Sequence, residues 1–145
     1  MSNIETAKRF AALAEAKDLN GLQAILADDF TAKGPSMELN KQQVIGYLKV
    51  LFTAFPGHSF GMTNFEEKGD SVYCDSYEKG THHGVLDLNP FGLSVTLPPT
   101  GKAFTLPKGR FTFRVANNKI TYFHEEAIQG GGLAGILAQL GVKLA

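Results

Sequence analysis

The sequence predicts a single α+β domain in which a curved sheet and its helices enclose a pocket. Three observations carry this. Helical spacing is confined to the two ends of the chain and one central segment, period-two segments fill the rest, and the strands come as hairpins with tight-turn signals between them. Helices kept apart from antiparallel hairpins indicate α+β rather than alternating βαβ. Three helices laid over one face of a curved antiparallel sheet leave a concavity between them.

The elements follow in order. Ile4 to Leu26 reads as two helices, with Ala7, Phe10, Ala11 and Ala14 on one stripe and Leu19, Leu22, Ile25 and Leu26 on the next. Asp18 is placed to cap the second helix. A short strand is expected near Phe30 to Lys33, ended by Gly34-Pro35. Asn40 caps a third helix, Lys41 to Phe55, which aligns Val44, Tyr47, Leu48, Leu51 and Phe55 before Pro56-Gly57 stops it. Ser59–Lys68 and Ser71–Thr81 read as a strand pair joined at Gly69. Gly101–Val115 and Lys119–Ile128 read as another, turning at Asn117-Asn118, where asparagine tolerates positive φ. A short apolar helix, Leu133 to Leu140, closes the chain after three glycines.

Whole-chain properties narrow the function classes. At 145 residues the chain is expected to be one domain, 1–145. Its formal net charge of +0, without a basic block, gives no reason to expect nucleic acid or an anionic membrane as partner. No apolar run approaches the ~20 residues of a bilayer span, and Met1 to Phe10 lacks a signal peptide's apolar region. Together these point to a soluble cytoplasmic protein. Cys74, the single cysteine, excludes an intrachain disulfide framework. The four histidines form no chelating pair at helical or strand spacing, so no metal or cofactor is expected. Gly130 to Gly135 satisfies the dinucleotide pattern GxGxxG, but only ten residues follow, too few for the second strand and its acidic residue.

Local motifs add a resemblance. Leu26-Ala27-Asp28-Asp29-Phe30 resembles the lead-in to the first strand of nuclear transport factor 2-like proteins. Gly80-Thr81-His82-His83-Gly84 resembles the GTHxG of SnoaL-like polyketide cyclases, and Pro98 to Lys102 their PPTGK turn. Ala138 to Gly141 is similar to their C-terminal QQLG. The resemblance implies a cone-shaped nuclear transport factor 2-like fold and a homodimer. It also implies a cofactor-independent cyclase, or a related isomerase or hydrolase, in which a carboxyl of the last strand shuttles protons on an apolar carbonyl compound. The sequence departs from that family in the long stretch Val85 to Leu97 and in Tyr122 to Glu126. Two other readings of the same cavity remain, a non-catalytic binder of a small apolar ligand and a dimerising interaction module.

The chemistry implied needs a carboxyl in an apolar cavity, where desolvation raises its pKa towards working pH. Alignment on Lys119-Ile120 puts Glu125 at the family's acidic position. A two-residue turn at Asn117-Asn118 instead sets Phe113 opposite Tyr122 and Phe111 opposite His124, which turns Glu126 inward and pairs Glu125 with Arg110. A bulge would reverse that choice. The candidate catalytic residues are therefore Glu125, Glu126, His124 and, through GTHxG, His82. Tyr47, Phe55, Phe91, Phe111, Phe113 and Tyr122 are expected to line the pocket. The apolar stretch 85–97 is expected to act as a lid or a dimer contact, since a solvated loop would not hold such residues.

Overall fold

The computed structural model describes residues 1–35 and 37–142. Helix α1 (Asn3–Glu15) starts at Ser2, whose hydroxyl accepts from the Glu5 N–H, and helix α2 (Leu19–Ile25) starts at Asp18, which accepts from the Gly21 N–H. Both caps satisfy backbone donors that a helix leaves free at its start. Strands β1 (Leu26–Lys33) and β2 (Glu38–Asn40) follow, and β2 was not foreseen. Helix α3 (Lys41–Ala54) opens with a reciprocal capping box between Asn40 and Gln43.

The two long strand pairs expected from the sequence are broken. Ser71–Thr81 forms β4 (Ser71–Ser76) and β5 (Lys79–Thr81), paired at its start with β3 (Thr63–Lys68). Gly101–Val115 likewise divides into β8 (Ala103–Thr105) and β9 (Gly109–Ala116) around Pro107, which has no N–H to offer a ladder. Strand β10 (Lys119–Glu125) follows a tight turn in which Asn117 and Asn118 both take positive φ, 53° and 61°. Helix α4 (Gly132–Gln139) is the last element of the described chain.

The main sheet has the order β2-β1-β10-β9-β4-β3, and β5 and β8 form a small separate sheet. The sheet is not antiparallel throughout as expected, because β1 runs parallel to β10. These strands lie at opposite ends of the sequence, so no hairpin constrains their direction. The helices cover one face, where Phe10 of α1 meets Phe113 and Phe123 at centroid distances of 5.5 and 6.2 Å. The architecture is the expected α+β fold, a curved and unclosed sheet with helices on its concave side.

Residues 85–97 are not a free loop. Strands β6 (Leu86–Asp87) and β7 (Thr96–Leu97) pair as a small hairpin, with a 3-10 turn at Asn89–Phe91. Leu86 and Leu88 are buried, and β6 rests on α3. Asn89 Nδ2 closes the hairpin by donating to Asp87 Oδ1 at 2.7 Å and Thr96 Oγ1 at 2.6 Å. Packing within the domain thus accounts for much of this segment's apolarity.

Candidate active site

A cavity of about 100 Å³ lies between the concave sheet face and the helices. Its wall is mostly apolar, with the rings of Phe10, Phe30, Phe60, Phe111 and Phe123 beside Met37, Met62, Leu133 and Ile136. Ionisable groups interrupt this wall: Glu125, Glu78 and Tyr47, with the exposed Lys33 at its edge.

A bulge in β10 aims Glu125. Ile120 pairs with Val115, but Tyr122 pairs with Arg114, so Thr121 is an extra residue in the ladder. Beyond it, Phe123 faces Phe113 and Glu125 faces Phe111, which puts both on the inner side. Gly34 and Gly132 bracket the Glu125 carboxyl, since a Cβ at either would lie 3.6 Å from one of its oxygens. Desolvation by the apolar wall, with the charge of Glu78 second, pushes Glu125 up to about 7.

The same bulge displaces three residues from their expected places. Tyr122 and His124 stand on the outer face, stacked at 6.4 Å, with the Arg114 guanidinium 5.1 Å from the Tyr122 ring. Glu126 is exposed and borders a crevice of about 10 Å³ behind Glu78 and Glu125. Of the two registers the sequence left open, the regular hairpin has no place for Thr121, and the bulged one is observed.

Glu78 and its partner His58 were missed in the sequence. Ser59 and Lys79 form an isolated antiparallel bridge, which sets His58 and Glu78 on one face as diagonal neighbours. His58 Nε2 lies 2.8 Å from Glu78 Oε2, and the residues are only 1% and 7% exposed. His58 Nδ1 has no hydrogen-bond partner among the described residues. Alternation along Val72, Cys74 and Ser76, all buried, continues to Glu78 and was a usable signal. His58 follows the Pro56-Gly57 turn, where no periodicity reaches it.

Tyr47 projects from α3 into the wall. Burial, then the charges of Glu78 and Glu125, hold its phenol well above the usual tyrosine range, so it is a neutral O–H donor. Phe91, expected in the wall, instead packs edge-on against the Tyr47 ring at 5.6 Å. Phe55 is buried elsewhere, against Phe104 at 5.0 Å and His82 at 5.4 Å, because it ends α3 on the β5–β8 side. Phe113 lies in the core beneath the cavity, between Phe10 and Phe123.

His82 is fully buried away from the cavity and clips a turn. Its Nδ1 accepts from the Thr100 N–H at 3.1 Å and lies 2.9 Å from the Thr100 hydroxyl. Desolvation lowers its pKa. The glycines around it serve packing. A Cβ at Gly84 would sit 2.1 Å from the Thr53 carbonyl oxygen, and one at Gly80 would sit 2.9 Å from the Phe104 ring. The Cys74 thiol, fully buried, is pushed up to about 12, chiefly by desolvation. Among the described residues no group of three or more His, Cys, Asp or Glu could hold a metal ion. Among the described residues, too, no helix is long and apolar enough to cross a membrane.

The SnoaL-like domain family matches residues 7–123. The chain belongs to this family. The SnoaL-like domain here shares its fold with IdmH of Streptomyces antibioticus, a candidate polyketide cyclase, at 20% identity and TM-score 0.71, covering 97% of this chain and 100% of that one. It is also similar to a Catenulispora acidiphila protein of ketosteroid isomerase-like fold in complex with trimethylamine, at 18% identity, TM-score 0.68 and coverage of 95% and 93%. A nuclear transport factor 2-like protein of Burkholderia pseudomallei gives 18%, 0.69, 96% and 98%. At these identities the likeness establishes the SnoaL-like domain's fold. No curated protein matches the chain.

Proposed function

We propose that this SnoaL-like domain is a cofactor-independent isomerase or cyclase that removes and returns a proton beside the carbonyl of a small apolar compound. The observation that carries this reading is Glu125, a carboxyl with a pKa near 7 set in an aromatic cavity. In its ionised form Glu125 takes a proton from the carbon next to the carbonyl, and the carbon–hydrogen electron pair moves into an enolate. The Tyr47 O–H donates a hydrogen bond to the enolate oxygen, which in a dry cavity stabilises that charge far more than water would. The protonated Glu125 then returns the proton at another carbon. In a cyclase the enolate carbon first attacks a second carbonyl, forming a carbon–carbon bond, and the new alkoxide takes the proton.

A suitable probe is a β,γ-unsaturated cyclohexenone, whose conversion to the conjugated isomer is followed by ultraviolet absorbance. We expect Glu125→Gln to lower the rate by at least about a hundredfold. Catalysis that survives undiminished in Glu125→Gln would overturn the assignment.

A second reading draws on the pairing of carboxyls with aromatic rings. Glu78 and Glu125 beside Phe10, Tyr47, Phe60 and Phe123 make a wall suited to a small organic cation held by charge and cation–π attraction. The trimethylamine in the Catenulispora relative is in keeping with this. Calorimetric binding of tetramethylammonium that strengthens above pH 7 would favour this reading, and no binding at any pH would dismiss it.

We place the homodimer contact on the outer sheet face, where Arg110 and Arg114 lie 4.8 and 5.1 Å from the rings of Tyr73 and Tyr122. Sedimentation showing only monomer at micromolar concentration would contradict it.

A further inference from the structure

We infer that His58 is a positioning residue for the proposed reaction: its Nε2–H donates to Glu78 and holds that carboxylate as a fixed anion beside Glu125, so that the two carboxyls take separate roles. This deepens the acid/base reading of Glu125 and rests on it. Glu78 then supplies charge, and Glu125 carries the proton.

The geometry decides where the His58 proton sits. Nε2 lies 2.8 Å from Glu78 Oε2, and Nδ1 is buried with no partner among the described residues. A neutral imidazole carries one N–H and one bare nitrogen. With the proton on Nδ1, a buried donor would go unsatisfied; with it on Nε2, the donor has a carboxylate acceptor and only a bare lone pair is left over. The main-chain oxygen of His58 accepts from Lys17 Nζ at 2.8 Å, which fixes the backbone that carries the ring. Phe60 meets the ring edge-on at 4.4 Å and Phe52 flanks it at 5.9 Å, so the imidazole has little room to turn.

Glu125 is in the opposite situation. Its shift upward has burial and Glu78 as its causes, with no hydrogen bond to offset them. The groups facing it are few. Lys33 at the end of β1 is exposed, Tyr47 of α3 is neutral, and α1 and α4 contribute Phe10, Leu133 and Ile136 to the wall. Glu126 is exposed in the crevice behind. The Glu78 anion is therefore the main charge against which Glu125 ionises. Two carboxyls with divided tasks can run acid and base chemistry at one pH.

Two measurements test this. In the unaltered protein, nitrogen-15 shifts of His58 should show a protonated Nε2 and a bare Nδ1; a proton on Nδ1 overturns the inference. Carbon-13 titration of labelled glutamates should show the Glu125 midpoint falling in Glu78→Gln, with its acidity rising up to about tenfold. An unmoved midpoint also overturns it. His58→Phe, which removes the donor, should lower the midpoint too, while His58→Gln, which keeps an N–H, should restore part of it. The two readings fail separately. Undiminished turnover in Glu125→Gln refutes the acid/base role, whereas an unmoved midpoint refutes the charge pairing.

Discussion

Glu125 stands directly opposite Phe111 across the β9–β10 ladder, one place away from the Arg110 that a regular hairpin would give it. The extra residue, Thr121, makes the difference, and its hydroxyl donates to the Arg114 carbonyl at 3.3 Å. Deleting Thr121 removes the bulge and the extra residue together, so Ile120, Phe123 and Glu125 should keep their inward faces. We expect the deletion variant to fold with Glu125 still titrating near 7 by carbon-13 NMR. A midpoint in the ordinary carboxylate range would mean that the bulge does more than correct the register.

Raising Glu125 to about 7 from its usual 4.5 makes stability depend on pH. The protonated form is the one the fold prefers. Its contribution is complete below about pH 4.5, declines as pH rises towards 7, and is gone above that. Glu125→Gln should remove this decline and be more stable than the parent at pH 8, by at most about 3 kcal/mol. Chemical denaturation at pH 4 and pH 8 checks the sign, because the two proteins should differ far less at the acid end.

Tyr47→Phe deletes one hydroxyl from the wall and leaves the ring that Phe91 packs against. Under the proposed reaction the rate should fall about a hundredfold or more, with a much smaller change in substrate affinity. Thermal stability should change little. An equal loss in affinity, with the maximal rate intact, would make Tyr47 a binding group only.

Gly84→Ala should be among the most damaging single changes outside the cavity. The new Cβ would meet the Thr53 carbonyl oxygen, and the Gly84 N–H is already committed to Ala54 O at 3.0 Å. A backbone atom cannot move aside as a side-chain tip can, so a loss of over about 2 kcal/mol is expected. Denaturant titration measures it. His82→Gln should also destabilise, by about 1–3 kcal/mol, through the lost contacts to Thr100.

That prediction shows what the GTHxG motif was marking. The resemblance it carried was sound for the family, yet Gly80, His82 and Gly84 hold a turn and the end of α3 rather than reach the cavity. A motif maintained by packing identifies a fold as well as one maintained by chemistry, and a sequence does not say which it is.

The sequence by itself determined the succession of the helices, the helix caps at Asp18 and Asn40, the Asn117-Asn118 turn and the α+β class. All of these depend on neighbours within a few residues, where periodicity and capping act. For the carboxyl that the last strand brings to the cavity, it left a choice between Glu125 and Glu126. The tertiary structure decided between them, because a bulge changes facing without leaving a mark on local spacing. It alone brought His58 to Glu78, 20 residues on, through one bridge between Ser59 and the start of β5. It also set β1 parallel to β10 and folded 85–97 onto α3. Contacts of that kind depend on burial and pairing summed over the whole chain, and no local window of residues contains them.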